Sequence, residues 1–349
     1  MNPRRLLLFV WCVAALSSGC TDTPQAPRVS GAINPAPVAF DPVQSIEPWT
    51  FAGVEGRVIT TPSYRIFTTE NAPLIRRRIP MFMELAAQHY SSALGELPRA
   101  ERRMDTYILA SRSQWAQLTR QMTGPRAETY LRIRAGGFAE NGRALLFNIG
   151  SRNTFGTAAH EGWHQYTQSV FREALPIWLE EGIATYMEGY RWDDARPDVP
   201  RFLPWTNIDR FDRLREVVQG GRITPLEELL THRPQDLLEL HSNERALDYY
   251  AQIWALVHFL REGENARYRE ALARILRDAA AGHLSRTVGA TAGPRAAAAV
   301  RMRTAGREVF ITYIDEDIPA VESAFRTFMR EATRTGARDA IVAGRSPLR

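Results

Sequence analysis

His160-Glu161-Gly162-Trp163-His164 is the stretch from which the rest of this chain is read. On a helix the two histidines stand one turn apart and project from one face, so both imidazoles reach a single metal ion at about 2.0–2.1 Å. Glu161 lies about 100° further round the axis, outside the ligand set but within reach of a water on that ion. The pattern separates two ligands from one base. Short patterns also recur by accident, so the neighbouring sequence has to supply a third ligand.

That ligand is available downstream. Glu181 stands 17 residues beyond His164, inside Leu175-Pro176-Ile177-Trp178-Leu179-Glu180-Glu181-Gly182-Ile183-Ala184-Thr185-Tyr186, a second helix opened by proline at its first position. Glu180 shares its face with Ile183, Ala184 and Met187, an apolar stripe, whereas Glu181 shares one with Thr185 and Glu188, a polar stripe, so Glu181 is the better ligand. Glu188 orients a ligand, binds a substrate amine or is simply solvated. Three protein ligands and one open position define a catalytic zinc site, and four define a structural one. Only His160, His164 and Glu181 qualify, since His89, His232, His241, His258 and His283 show no ligand spacing to one another. Two histidines and a glutamate suit Zn2+, although their geometry is open to other first-row ions.

Ahead of the motif, Gly136-Gly137-Phe138-Ala139-Glu140-Asn141-Gly142-Arg143-Ala144-Leu145-Leu146-Phe147-Asn148 sets Asn-Gly between two apolar runs, the strongest hairpin signal in the chain. This hairpin either completes a sheet or offers an edge strand to an extended peptide. Alternation gives a first strand at 64–69 and another at 106–110, and helical spacing covers 74–94 and 115–122. Beyond the second motif helix, 190–205 reads as a loop. Helices follow over 211–218, 225–230, 247–260, 268–281, 292–299 and 318–332, with 344–349 a frayed tail. The expected class is α+β, a mixed sheet with the metal helix in a front half (51–170) and a mainly helical half (171–340).

The N-terminus carries Arg4-Arg5, an apolar stretch over 6–16, and Ser17-Ser18-Gly19-Cys20. That stretch is too short to span a bilayer, so 1–19 is expected to be a signal peptide. Small residues before a cysteine resemble the lipoprotein signal, in which Cys20 is acylated and anchors the chain to a membrane. Leu16 stands four residues before Cys20 rather than the usual three, which keeps ordinary secretion as the alternative. Residues 20–50, rich in Pro, Ala, Thr and Ser, read as a disordered tether. With Cys12 removed and Cys20 lipidated no thiol remains, and cysteine-based catalysis is excluded.

The 349 residues, 44% of them hydrophobic, suffice for a sizeable core. Every basic residue is arginine, and the net charge of +5 falls to +3 without Arg4 and Arg5. That balance gives no basic groove, so nucleic acid is not an expected partner. Arg76-Arg77-Arg78 and Arg102-Arg103 read as solvated helix faces.

His160-Glu161-x-x-His164 with Gln165, followed by Trp178-Leu179-x-Glu181-Gly182-x-Ala184, resembles the gluzincin metallopeptidases, whose third ligand is the glutamate of a W-L-x-E-G-x-A segment. The chain is also similar to a bacterial envelope group of largely uncharacterised putative peptidases. The shared segments are Thr-x-x-His-Glu (Thr157 to Glu161), Pro-x-Trp-Leu (Pro176 to Leu179) and Tyr250-Ala251-Gln252, and the likeness covers about 64–275. The resemblance implies a zincin-like fold, Zn2+ on His160, His164 and Glu181, and Glu161 as general base. Tyr250 fits the oxyanion-stabilising hydroxyl by its place in the Tyr-Ala-Gln segment, with Tyr249 as the neighbour that could serve instead and a packed aromatic as the bland reading. No Gly-x-Met-Glu-Asn type segment precedes the metal helix, so specificity for a free N-terminus is not expected.

Four functional readings follow. The leading one is an exported zinc-dependent hydrolase of peptide or protein substrates, facing the periplasm on a lipid anchor in the cell envelope. A non-catalytic binding or assembly module on the same scaffold is the alternative, against which the retained Glu161 argues. A third makes the motif an accident. A glycosidase using Glu161 with Glu180 or Glu181 is the fourth, and it alone among the enzymes would survive chelation. Trp178, Trp192 and Trp205 line a cleft or pack in the core.

Overall fold

The computed structural model describes residues 41–232 and 243–348. The signal peptide, Cys20, the tether up to residue 40 and His241 lie outside the described residues.

Where a tether was expected, the chain forms a strand. β1 (Ser45–Phe51) pairs antiparallel with β2 (Val54–Thr60), so the folded domain begins at 45 and not at 51. Pro48 disguises β1 in the sequence, yet β1 is an outer strand of the sheet, where proline need not donate to a ladder.

The six-stranded sheet continues with β3 (Tyr64–Thr68), β4 (Met104–Leu109), β5 (Gly137–Glu140) and β6 (Arg143–Phe147), in the order β1-β2-β3-β4-β6-β5. β3, β4 and β6 run parallel, and β5 returns antiparallel to β6. Its turn is the expected Asn141-Gly142, at φ 53° and 73°, two successive left-handed residues that match the twist of a two-residue hairpin. β5 is the other edge. The Ala139 carbonyl of that strand accepts from Gln168 Nε2 at 3.1 Å, so part of this edge is already engaged.

Four helices cover the sheet: α1 (Pro73–Ser92), α2 (Arg112–Thr123), α3 (Ala127–Leu131) and α4 (Ser151–Val170). α1 and α4 pack on the face carrying Ile59, Ile66, Ile108 and Leu146. α2 and α3 pack Trp115 and Tyr130 on the opposite face, against Leu145 and Phe138. Four of the five β6 residues are buried, as a strand covered on both faces requires.

The second half is helical: α5 (Ile177–Met187), α6 (Ile208–Gln219), α7 (Leu226–Thr231), α8 (Asn243–Glu262), α9 (Arg269–Ala281), α10 (Leu284–Ala292), α11 (Pro294–Arg301), α12 (Gly306–Tyr313), α13 (Ile318–Ala332) and α14 (Ala337–Val342). This α+β layout matches the expected class, with three corrections. The supposed loop at 190–205 contains the short pair β7 (Tyr190–Trp192) and β8 (Pro200–Phe202). α10, α12 and α14 were not anticipated. The C-terminal tail is held rather than frayed, since Arg334 Nη1 donates to Pro347 O at 2.5 Å and Leu348 packs on the core.

α8 is apolar on most sides and fully buried at Ile253, Trp254, Leu256, Val257 and Leu260, which makes it the axle of the helical half. α5 lies directly against it because Gly182 has no side chain; a Cβ there would stand 2.9 Å from both Ile253 O and Val257 Cγ2. The contact brings α5 and α8 together beside α4. Among the described residues no helix is long and apolar enough to cross a membrane.

Candidate metal centre

α4 and α5 together assemble the expected ligands. His160 and His164, both fully buried, extend from α4, and their Nε2 atoms lie 3.5 and 3.7 Å from Glu181 Oε2 on α5. One ligand atom from each of the three residues falls within 4.8 Å of the others, and no other such group of three occurs among the described residues.

Each imidazole is fixed from behind. Glu188, the residue that caps α5, accepts from His160 Nδ1 at 2.8 Å, and Glu180 accepts from His164 Nδ1 at 2.9 Å. A proton on Nδ1 leaves the lone pair on Nε2, on the side of Glu181. The two carboxylates are themselves anchored. Glu188 accepts from Asn207 Nδ2 at 2.6 Å and from Arg210 Nη2 at 3.2 Å, and Glu180 accepts from Thr167 Oγ1 at 2.7 Å. Glu180 is therefore not part of an apolar stripe but the partner of a ligand, and Glu188 is not solvated. The polar-face argument for Glu181 agrees with its position, while burial of its neighbour arises from pairing with His164.

Charge supports a cation here. Glu161, Glu180, Glu181 and Glu188 are all buried, and the guanidinium groups of Arg210 and Arg303 oppose them. An interior of low dielectric penalises carboxylates gathered this closely, and a cation among them would relieve the cost. Burial by itself pulls the His160 imidazole down, but Glu181 and Glu188 outweigh burial and raise it to about 10. Burial pushes Glu188 and Glu180 upward, and their partners, chiefly Arg210 and His160 for one and His164 for the other, hold both below the ordinary range.

Glu161 differs from the other three. Both of its oxygens are buried without a hydrogen-bond partner among the described residues. Burial raises it above the usual carboxylate value, and His160 and His164 only partly offset this. Glu181 Oε2 likewise has no hydrogen-bond partner among them. Orphaned buried carboxylate oxygens beside two convergent imidazoles fit a metal ion and its water.

The two tyrosines on α8 differ in their hydroxyls. The Tyr249 hydroxyl donates to His232 O at 3.3 Å, whereas the buried Tyr250 hydroxyl has no partner among the described residues. Its ring lies 6.4 Å from the His160 ring and under the Arg210 guanidinium at 5.1 Å. Burial and the charge of Glu181 drive its phenol well above the ordinary value, so it stays a donor.

Asn207, Arg210, Thr167 and Arg303 escaped the sequence reading. Only Thr167 carried a signal, its place one turn after His164 on the same helix. Trp178 and Trp205 are core residues, donating to Gly306 O at 3.2 Å and Glu262 Oε1 at 2.6 Å. Trp192 instead helps to line a cavity of about 340 Å³ that reaches Gly156, Asn207 and Glu188.

A family model described as "Protein of unknown function (DUF1570)" matches residues 154–283, the stretch that holds every residue of this cluster except Arg303. No curated protein matches the chain.

Proposed function

We propose that the chain is a zinc-dependent hydrolase of peptide bonds, with the ion on His160, His164 and Glu181 and with Glu161 as general base. The observation that carries this reading is the unbonded, buried Glu161 carboxylate beside three convergent ligand atoms. A structural metal site has no use for a costly buried base, and a hydrolytic one requires it.

An ion in this place would act as a Lewis acid and bring the pKa of a coordinated water to about 7. Glu161 would serve as the group that accepts a proton from the attacking water and returns it to the leaving amine, and burial raises its carboxyl above the usual carboxylate value. Tyr250 donates its hydroxyl to the carbonyl oxygen as negative charge develops there. Glu180 and Glu188 keep the imidazoles in one tautomer and one orientation. The choice of peptide bonds draws on the likeness of Trp178-Leu179-x-Glu181-Gly182-x-Ala184 to the gluzincin segment. Export and a lipid anchor at Cys20 draw on Arg4-Arg5, the apolar stretch at 6–16 and Ser17-Ser18-Gly19-Cys20.

The test is cleavage of a mixed peptide library by wild type and Glu161→Gln, with and without a zinc chelator. Cleavage by wild type alone, abolished by chelation and restored by zinc, supports the reading. Cleavage that survives chelation contradicts it, and zinc binding without cleavage of any peptide favours a binding module.

A further inference from the structure

α6, α13 and α14 border a surface cavity of about 470 Å³. Its lining holds four arginines: Arg215 on α6, Arg330 on α13, Arg334 in the turn that follows, and Arg338 on α14. Gln219 and Thr335 add neutral donors, and no carboxylate is among the lining residues.

Local pairing accounts for part of this cluster. Asp212, one turn before Arg215, takes Arg215 at 3.2 Å and Arg338 at 3.0 Å, which ties α14 to α6. Arg334 donates only to backbone carbonyls, those of Glu331 and Pro347, and Arg330 has no hydrogen-bond or ion-pair partner among the described residues. A cation in the last turn of α13 suits the carbonyl end of that helix, which accounts for Arg330 by itself. It does not account for guanidinium groups from two other helices lining the same cavity. Four of them share one carboxylate, Asp212, and like charges gathered round one cavity repel, a cost that solvent reduces and an anion removes.

Arginine content alone gives a different result elsewhere in the chain. A cavity of about 490 Å³ beside the Asn141-Gly142 turn is lined by Arg99, Arg102 and Arg103, but Glu101 lies among them. Arg103 is also committed there, to Thr61 O at 2.8 Å and Gln44 Oε1 at 2.7 Å.

We propose that the cavity between α6, α13 and α14 binds a phosphate group, held by Arg330 and Arg334 with Arg215 and Arg338 at its wall. A guanidinium fork gives two parallel N–H groups to two oxygens, and a tetrahedral phosphate presents its oxygens to several forks at once. A soluble phosphate ester and the headgroup of an anionic phospholipid both carry that chemistry. No lining residue belongs to the metal cluster, so the site does not depend on hydrolysis.

The experiment is calorimetric titration with inorganic phosphate, together with co-sedimentation with phosphatidylcholine vesicles containing phosphatidylglycerol. Both are done at low ionic strength on Cys20→Ser protein, which carries no acyl chain. Arg330→Gln and Arg334→Gln should each weaken binding about tenfold or more, the loss of one charge-assisted hydrogen bond, while Arg102→Gln in the other cavity should leave it unchanged. Arg330 is exposed and unpaired, so its replacement should keep the fold and the zinc content. Sedimentation that Arg330→Gln abolishes assigns the phosphate to a lipid headgroup, and phosphate binding without sedimentation assigns it to a soluble ester. The proposal is overturned if neither phosphate nor vesicles bind, if binding survives both Arg330→Gln and Arg334→Gln, or if Arg102→Gln weakens it equally.

Discussion

Glu188 Oε1 lies 2.8 Å from His160 Nδ1, and the same carboxylate is clamped by Asn207 and by the buried Arg210, whose guanidinium also covers Tyr250. One acidic side chain at the end of α5 thereby joins a proposed metal ligand to the tyrosine proposed to face the substrate. Glu180 gives His164 the same support from one turn inside the helix.

These two carboxylates should control metal affinity. Glu188→Gln and Glu180→Gln are each expected to weaken zinc binding about tenfold to a hundredfold, measured by competition with a chromophoric chelator. Unchanged affinity in both would contradict the assigned roles. Glu188→Ala should also destabilise the fold, because it removes the buried carboxylate that accepts from Asn207 and Arg210.

Tyr250→Phe removes a hydroxyl that bonds to nothing in the described structure, so the fold should keep its stability. If that hydroxyl meets the developing oxyanion, kcat falls by a factor on the order of 100 while zinc content is preserved. A variant with normal kcat would return Tyr250 to the role of a packed aromatic.

Gly162, inside the metal motif, is required by packing. A Cβ there would collide with the Tyr90 hydroxyl, which α1 holds against Ala159 O at 2.9 Å. Gly162→Ala should cost about 1–3 kcal/mol in chemical denaturation, less in a Tyr90→Phe background. An unchanged midpoint would show that α1 and α4 separate more easily than the contact implies.

Acid should destabilise the fold through histidines outside the metal cluster. Burial lowers His89 from 6.5 to about 4, and burial also lowers His258, with Glu262 opposing. The unfolded chain takes up these protons first, so stability is full above pH 6.5 and is lost as pH falls through about 4. For His89 the shift corresponds to at most about 3 kcal/mol, reduced by the partial exposure of its ring. His89→Phe, stacked on Phe202, should narrow the difference in urea midpoint between pH 7 and pH 4.5. Equal differences in variant and wild type would remove His89 as a cause.

Much of this site could be read in advance, because its core is local. The spacing of His160, Glu161 and His164 and the helix that bears Glu181 are short-range features, as is the Asn141-Gly142 turn. The partners behind the ligands are long-range. Arg210 and Arg303 carry no spacing that links them to α4, and only the packing of α5 between α4 and α8 brings Glu180 and Glu188 to the imidazoles. The apolar neighbours of Glu180 argued against it as a ligand, and nothing in its spacing showed that it would pair with His164. Pro48 concealed β1 for a related reason, since whether a proline is tolerable in a strand depends on which edge of the sheet it occupies.

Metal content tests the central claim most directly. The purified protein, Glu161→Gln and Glu181→Ala should be loaded with zinc, dialysed and assayed by elemental analysis. About one zinc per chain is expected in the wild type and in Glu161→Gln, and a large loss in Glu181→Ala. A wild-type protein that retains no divalent metal, or a Glu181→Ala variant that retains as much as wild type, would contradict it.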